Sequence, residues 1–227
     1  MVDTGAMIQA MRFVDRTDAG RQLAEQLVDL ELHDPLVLAL PRGGVPVAAE
    51  VAARLGAEMD VVVARKVGAP DQPELGIGAI AEGGARVVDD AMLSHLGIPR
   101  ARYDEAEAKE RAELERRVQR YRGGRSLPDL SDRDVIVVDD GLATGVTARA
   151  ALQHLKQLSP RRLLLAVPVC AAPTVERASS LADRVVCVTT PHDLGAVGAW
   201  YDDFTQTTDD EVESLLDLNR RRSTPPD

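Results

Sequence analysis

The sequence predicts an α/β fold: a central, mostly parallel sheet flanked by helices. Three observations lead there. Apolar runs bounded by turn residues alternate with helix-period segments along most of the chain. The runs are apolar at nearly every position rather than at alternate ones, which suits strands covered on both faces. The core must also be aliphatic, since aromatics make up 3% of the 227 residues while hydrophobic residues make up 44%. A chain of this length can bury a substantial core of Val, Leu, Ile and Ala.

The elements follow in order. Residues 1–12 are expected to be a flexible N-terminus, and 13–218 one folded domain. A helical pattern spans 18–31. The run LVLAL (36–40) reads as a strand, a small-residue turn holds Arg42, Gly43 and Gly44, and a helix follows over 45–55. DVVVAR (60–65) reads as a strand ending on Arg65 and Lys66. Short runs at 78–80 and 86–88, around AEGG, predict a hairpin. Residues 99–122 are mostly charged, with Glu105, Glu107 and Glu113 each four residues before a Lys or Arg. The apolar stripe there is thin: Tyr103, Leu114, Val118 and Tyr121. The pattern predicts a solvated helix packed by one narrow edge, with a lid or a homodimer contact as the sharper readings. Gly123, Gly124 and Pro128 end it. Strands at 135–138, 162–169 and 184–189 then alternate with helices at 146–158 and 174–182. A last helix falls near 208–219, and 219–227 reads as a disordered tail.

A net charge of -10 argues against a nucleic-acid partner, although a small anion site needs only local amides and a few cations. No run approaches eighteen apolar residues, and the first residues lack a basic stretch followed by an apolar one, so neither a membrane span nor a signal peptide is expected. Cys170 and Cys187 sit in apolar runs without metal spacing, as reduced thiols of a cytoplasmic protein would. His33, His95, His154 and His192 show no ligand spacing. His192 alone lies near a candidate site.

The chemistry concentrates in VIVVDDGLATGVT (135–147). An apolar strand ends on Asp139 and Asp140, and a nearly bare loop carries Gly141, Gly145, Thr144 and Thr147 into a helix. Uncommitted amides at a helix start favour an anion. A P-loop is excluded because the loop holds no lysine. Gly76-Ile-Gly78-Ala-Ile-Ala81 spells a dinucleotide fingerprint but enters a strand-like run instead of opening a helix.

The order apolar strand, Asp-Asp, three residues, Thr-Gly-x-Thr resembles the signature of the type I phosphoribosyltransferases. The resemblance spans roughly 13–218, and FVDRTDAGRQLAEQL and PELGIGAIAEGG are similar to a bacterial branch of that family. It implies a type I fold with a C-terminal hood at about 190–207 and the charged helix as an insertion. It also implies a Mg²⁺-dependent enzyme of nucleotide metabolism that uses 5-phosphoribosyl-1-pyrophosphate (PRPP). Gly141, Leu142, Ala143, Thr144, Gly145 and Thr147 would hold the 5′-phosphate. Asp139 and Asp140 would face the ribose, with Mg²⁺ held mainly through PRPP and these two aspartates as the protein's candidates for it. Arg42, Gly43 and Gly44, with Arg65 or Lys66, would hold pyrophosphate. Trp200 and Tyr201, beside His192, would form the hood, stacking on the base or packing locally; three of the few aromatics lie in residues 200–204. Ala143 stands where 6-oxopurine enzymes of the family carry an aspartate, so the loop resembles the adenine type, with Glu74 or Glu82 as stand-in acids. A non-catalytic PRPP or nucleotide sensor, and a phosphoribosyl hydrolase or phosphorylase, are the alternatives.

Overall fold

The computed structural model describes residues 12–223. The expectations for residues 1–11 and 224–227 lie outside them. Five strands form one parallel sheet: β1 (Leu36–Ala39), β2 (Glu58–Val61), β6 (Asp134–Val138), β7 (Arg162–Val169) and β8 (Arg184–Thr189), in the order β2-β1-β6-β7-β8. β1 and β6 are buried throughout, as their unbroken apolar runs require. Helices α1 (Arg16–Glu25), α2 (Gly44–Leu55) and α7 (Asp209–Ser223) contribute to one core cluster. Helices α5 (Val146–Gln157) and α6 (Ala172–Ala178) contribute to the other.

The helices start where local chemistry satisfies their orphan amides. The Asp15 carboxylate caps α1 by accepting from the Asp18 amide at 2.7 Å. Thr208 and Glu211 form a reciprocal capping box at the start of α7. Asn219 is buried, accepts from the Met59 amide and donates to the Ala57 carbonyl. Those bonds anchor α7 to β2, so residues 219–223, expected as tail, continue the helix to Ser223.

The reading of residues 60–65 as one strand needs correction. β2 ends at Val61, and a new strand, β3 (Ala64–Ala69), begins after a break at Val62 and Val63. The Val63 amide bonds the Glu82 carboxylate at 2.8 Å, not a neighbouring strand, and the chain leaves the central sheet there. β3 pairs antiparallel with β4 (Gln72–Ala81), and β4 with β5 (Arg86–Val88), giving a second, three-stranded sheet. The hairpin pairing of Gly78 with Val88 is present, but β4 extends well before it. Arg65 and Lys66 therefore lie within β3 and not at the carboxyl end of a central strand. A short α3 (Asp90–His95) leads into the charged helix α4 (Arg100–Arg122). Its stripe packs as patterned: Tyr103, Leu114 and Tyr121 are buried and Val118 is partly so. Glu107 and Arg122 are buried as well.

Candidate active site

The strand order reverses direction at one place. The chain passes from β1 outward to β2 on one side, and from β6 to β7 and β8 on the other. The crevice between the carboxyl ends of β1 and β6 is the topological switch point, where open α/β sheets bind ligands. β1 and β6 pair in register, Ala39 opposite Val138, and the Leu40 amide donates to the Val138 carbonyl at 2.8 Å. The turns that follow them are therefore neighbours.

One turn is Pro41-Arg42-Gly43, whose Pro41–Arg42 peptide is cis. The other holds Asp139 and Asp140. The two are so close that no side chain fits between them. A Cβ on Gly43 would stand 2.6 Å from the Asp140 Cγ, and one on Gly44 would stand 2.6 Å from the Val138 carbonyl and 2.9 Å from the Asp139 Cα. Two glycine requirements, in different parts of the sequence, thus arise from one contact.

The loop after the aspartates is held from behind. The Leu142 amide donates to the Val169 carbonyl at 2.9 Å, and the Thr174 hydroxyl donates to the Ala143 carbonyl at 2.6 Å. Gly145 takes the N-cap position of α5 at a φ of 68°, which favours glycine, and offers no capping side chain. Ala143 and Thr144 are exposed, and among the described residues no backbone carbonyl takes the amides of residues 143–147. An uncapped helix start with open amides is a site for an anion.

The acidic pair is shielded and partly committed. Asp139 Oδ1 accepts from the Asp140 amide at 2.9 Å. Asp140 Oδ2 accepts from Arg16 Nε at 2.8 Å, with the two side chains only 14% and 11% exposed. Burial pushes the Asp139 carboxyl well above the usual carboxylate range, and the Asp140 charge pushes the same way. Burial raises Asp140 too, against the pull of Arg16. Among the described residues, no group of three or more His, Cys, Asp or Glu could hold a metal ion. Two carboxylates fit a Mg²⁺ that takes most of its ligands from a diphosphate and water, and do not fit an all-protein cage.

The cations distribute unevenly. Arg42 reaches to 3.6 Å from the Asp209 carboxylate at the start of α7. Arg65 turns to α4, its Nε 2.8 Å from Glu110. Lys66 donates to the Glu74 carbonyl at 2.9 Å, and its stem and Val146 flank the same point over Gly76, at 3.0 and 3.9 Å. Lys66 is thus the member of the pair that borders the start of α5. Of the stand-in acids, Glu82 is bonded to Arg122 and the Val63 amide, and Glu74 is exposed beside Lys66.

In the segment expected as the hood, about 190–207, Trp200 is 4% exposed and its Nε1 donates to the Leu194 carbonyl at 3.0 Å. It packs with Phe13, Ala19, Val169, Leu194 and Tyr201. The Tyr201 hydroxyl donates to the Asp140 carbonyl at 2.5 Å. His192 is exposed near the start of that segment. Among the described residues, a cavity of about 1020 Å³ lies at the opposite, amino ends of β1 and β2, lined by Asp34, Glu58, Asp60 and Arg133. Sequence reasoning passed over Arg16 and the Tyr201 hydroxyl as partners of Asp140. Only the compact DRTDAG helix start marks Arg16, and nothing local ties it to a residue so distant in the chain.

A family model described as "Phosphoribosyl transferase domain" matches residues 14–203. The chain is 48% identical over 209 residues to "Putative phosphoribosyl transferase Rv0571c" of Mycobacterium tuberculosis strain H37Rv, covering 92% of this chain and 47% of that protein. It thus spans about half the length of the curated relatives it matches. The crystal structure of TT1426 from Thermus thermophilus is 48% identical, with a TM-score of 0.75 over 91% of this chain and 98% of that one. The AQ2163 protein of Aquifex aeolicus, 12% identical, shares the fold with a TM-score of 0.50 over 93% and 92%. With its parallel sheet, its acidic pair at the switch point and this match over most of its length, the chain belongs to the phosphoribosyl transferase domain family and has the type I α/β architecture.

Proposed function

We propose that this chain transfers the phosphoribosyl group of PRPP to a nitrogenous base or related nucleophile and releases pyrophosphate. The observation that carries the reading is the contact between the two turns, Gly43 and Gly44 against Asp140 and Asp139, at the switch point of the sheet. On this reading the open amides of residues 143–147, with the Thr144 and Thr147 hydroxyls, bind the 5′-phosphate. Asp139 and Asp140 accept hydrogen bonds from the ribose hydroxyls and offset the positive charge that develops at C1 as the bond to pyrophosphate lengthens. Arg42 exchanges Asp209 for the leaving pyrophosphate, beside the Gly43 amide, and Lys66 is the better placed of the two β3 cations to assist. Bound Mg²⁺ supplies counter-charge to the diphosphate.

Ala143 offers no proton acceptor to a 6-oxopurine, which favours an amino-substituted or other base. Trp200, enclosed in the hood core, supports the hood from within, while Tyr201 ties it to the acidic pair. The free thiols of Cys170 and Cys187 suit a cytoplasmic enzyme. The test is PRPP and Mg²⁺ with a panel of bases, following pyrophosphate release. At least one base should give nucleotide, and Asp139→Asn/Asp140→Asn should lower the rate a hundredfold or more. PRPP binding without product from any base would support the non-catalytic sensor instead.

A further inference from the structure

Arg16 belongs to neither turn motif, yet it stands where three parts of the site meet. Its Nε is 2.8 Å from Asp140 Oδ2, and its other arm, Nη1, donates to the Thr205 carbonyl at 2.7 Å. The guanidinium lies 3.9 Å above the Phe204 ring. A Cβ on Gly43 would come within 3.3 Å of its Nε, so the Arg42-Gly43 turn borders it as well. The side chain is 11% exposed and starts on the first residue of α1, whose frame is fixed by the Asp15 cap. A planar, charged fork that is stacked, buried and bonded on two edges has little rotamer freedom left. It therefore holds what it bonds.

We propose that Arg16 is a positioning residue that fixes the Asp140 carboxylate and couples it to the hood through Phe204 and Thr205. Asp140 has two oxygens. Arg16 takes Oδ2, the oxygen that faces the Gly43 turn, so the orientation of the Asp140 carboxylate and the seating of the hood are set by one side chain. This rests on the acidic pair binding the ribose of PRPP, as proposed above.

The experiment measures Mg·PRPP binding by titration calorimetry in the wild-type chain, Arg16→Met, Arg16→Lys, Asp140→Asn and the Arg16→Met/Asp140→Asn double variant, with thermal unfolding as the fold control. Arg16→Met should weaken binding about tenfold. Arg16→Lys should recover part of the loss. On the Asp140→Asn background, Arg16→Met should change affinity less than about twofold, because its effect travels through Asp140. Equal losses on both backgrounds would overturn the proposal. Hydrogen exchange in the ligand-free chain tests the coupling without PRPP. Both Arg16→Met and Asp140→Asn should speed exchange of the Asp203 and Thr205 amides, although among the described residues the Asp140 side chain bonds Arg16 and no hood residue. Unchanged exchange in Asp140→Asn would equally overturn it. A wild-type chain that fails to bind Mg·PRPP would instead sink the functional reading, with the exchange result still deciding the role of Arg16.

Discussion

Gly43 shows how little room the site leaves at the scale of single residues. Its φ of -60° is open to any residue, so alanine meets no backbone obstacle there. The obstacle is the Asp140 carboxyl group, 2.6 Å from where the new Cβ would stand at its Cγ. Gly43→Ala should therefore displace Asp140 rather than unfold α2. We expect Mg·PRPP affinity to fall at least tenfold while the melting temperature changes by only a few degrees, checked by calorimetry and thermal unfolding of the same sample. Unchanged affinity would mean that the two turns are not one site. Asp134 presents a structural counterpart at the other end of the same strand. It is fully buried, and burial alone would raise its carboxyl. Arg162, the His33 amide and Arg161 outweigh that and hold it down to about 2. A folded value below the unfolded one stabilises the fold above pH 4, and that stability is lost as pH falls from about 4 toward 2. Because both arginines are about two-fifths exposed, the stabilisation is discounted to roughly 1–2 kcal/mol. Urea unfolding of the wild type should show this loss over that pH range, and Asp134→Asn, less stable at neutral pH, should not.

Among the elements, α4 is the one whose composition misleads. Its polarity suggests a solvated rod, yet its last turns grip the start of α7. Arg120 bonds Asp209, Asp210 and Glu213, and the buried Tyr121 hydroxyl donates to Asp209 at 2.6 Å. The arginine contacts are exposed and contribute little each. The tyrosine contact is shielded, so Tyr121→Phe should cost about 1–1.5 kcal/mol in urea unfolding. It should also speed hydrogen exchange at the first turn of α7, beside Arg42; a loss of stability with α7 protection intact would place the effect elsewhere. Period and composition made the five central strands and the helices between them legible, because burial on both faces leaves an unbroken apolar run. They could not show the break at Val62–Val63, since residues 61–64 stay apolar across it, and the Glu82 carboxylate that caps Val63 comes from nineteen residues on. The turns at 42–44 and 139–147 were legible because bare loops need glycine. Arg16 was not, because its partner Asp140 is 124 residues away and only folding brings them together.

Across the whole molecule, the central sheet supplies stability and the switch point draws on it. Strands β1 and β6 are buried and uniformly apolar, while two adjacent carboxylates are held at their ends with one guanidinium between them and the hood. Burial raises both carboxyls in the folded state, and the Asp140 charge adds to the rise at Asp139. A raised folded value has the opposite sign to that of Asp134: the native state retains protons that the unfolded chain releases, so stability declines as pH rises above about 4. The acidic pair weakens the fold carrying it, as groups kept for a ligand do. Asp139→Asn removes one charge and keeps the Oδ1 that accepts from the Asp140 amide. The variant should melt higher than the wild type at neutral pH, by about 2–6 °C for a gain of roughly 1–2 kcal/mol in a chain of this size. The difference should shrink toward zero as pH falls to about 4, where the wild-type carboxyls are protonated in the folded state as well. The same variant should bind Mg·PRPP at least tenfold more weakly. Thermal unfolding across pH 4–8, with and without Mg·PRPP, reads both effects together. A variant that melted lower than the wild type at every pH, or kept full affinity, would show that Asp139 serves the fold and not the ligand.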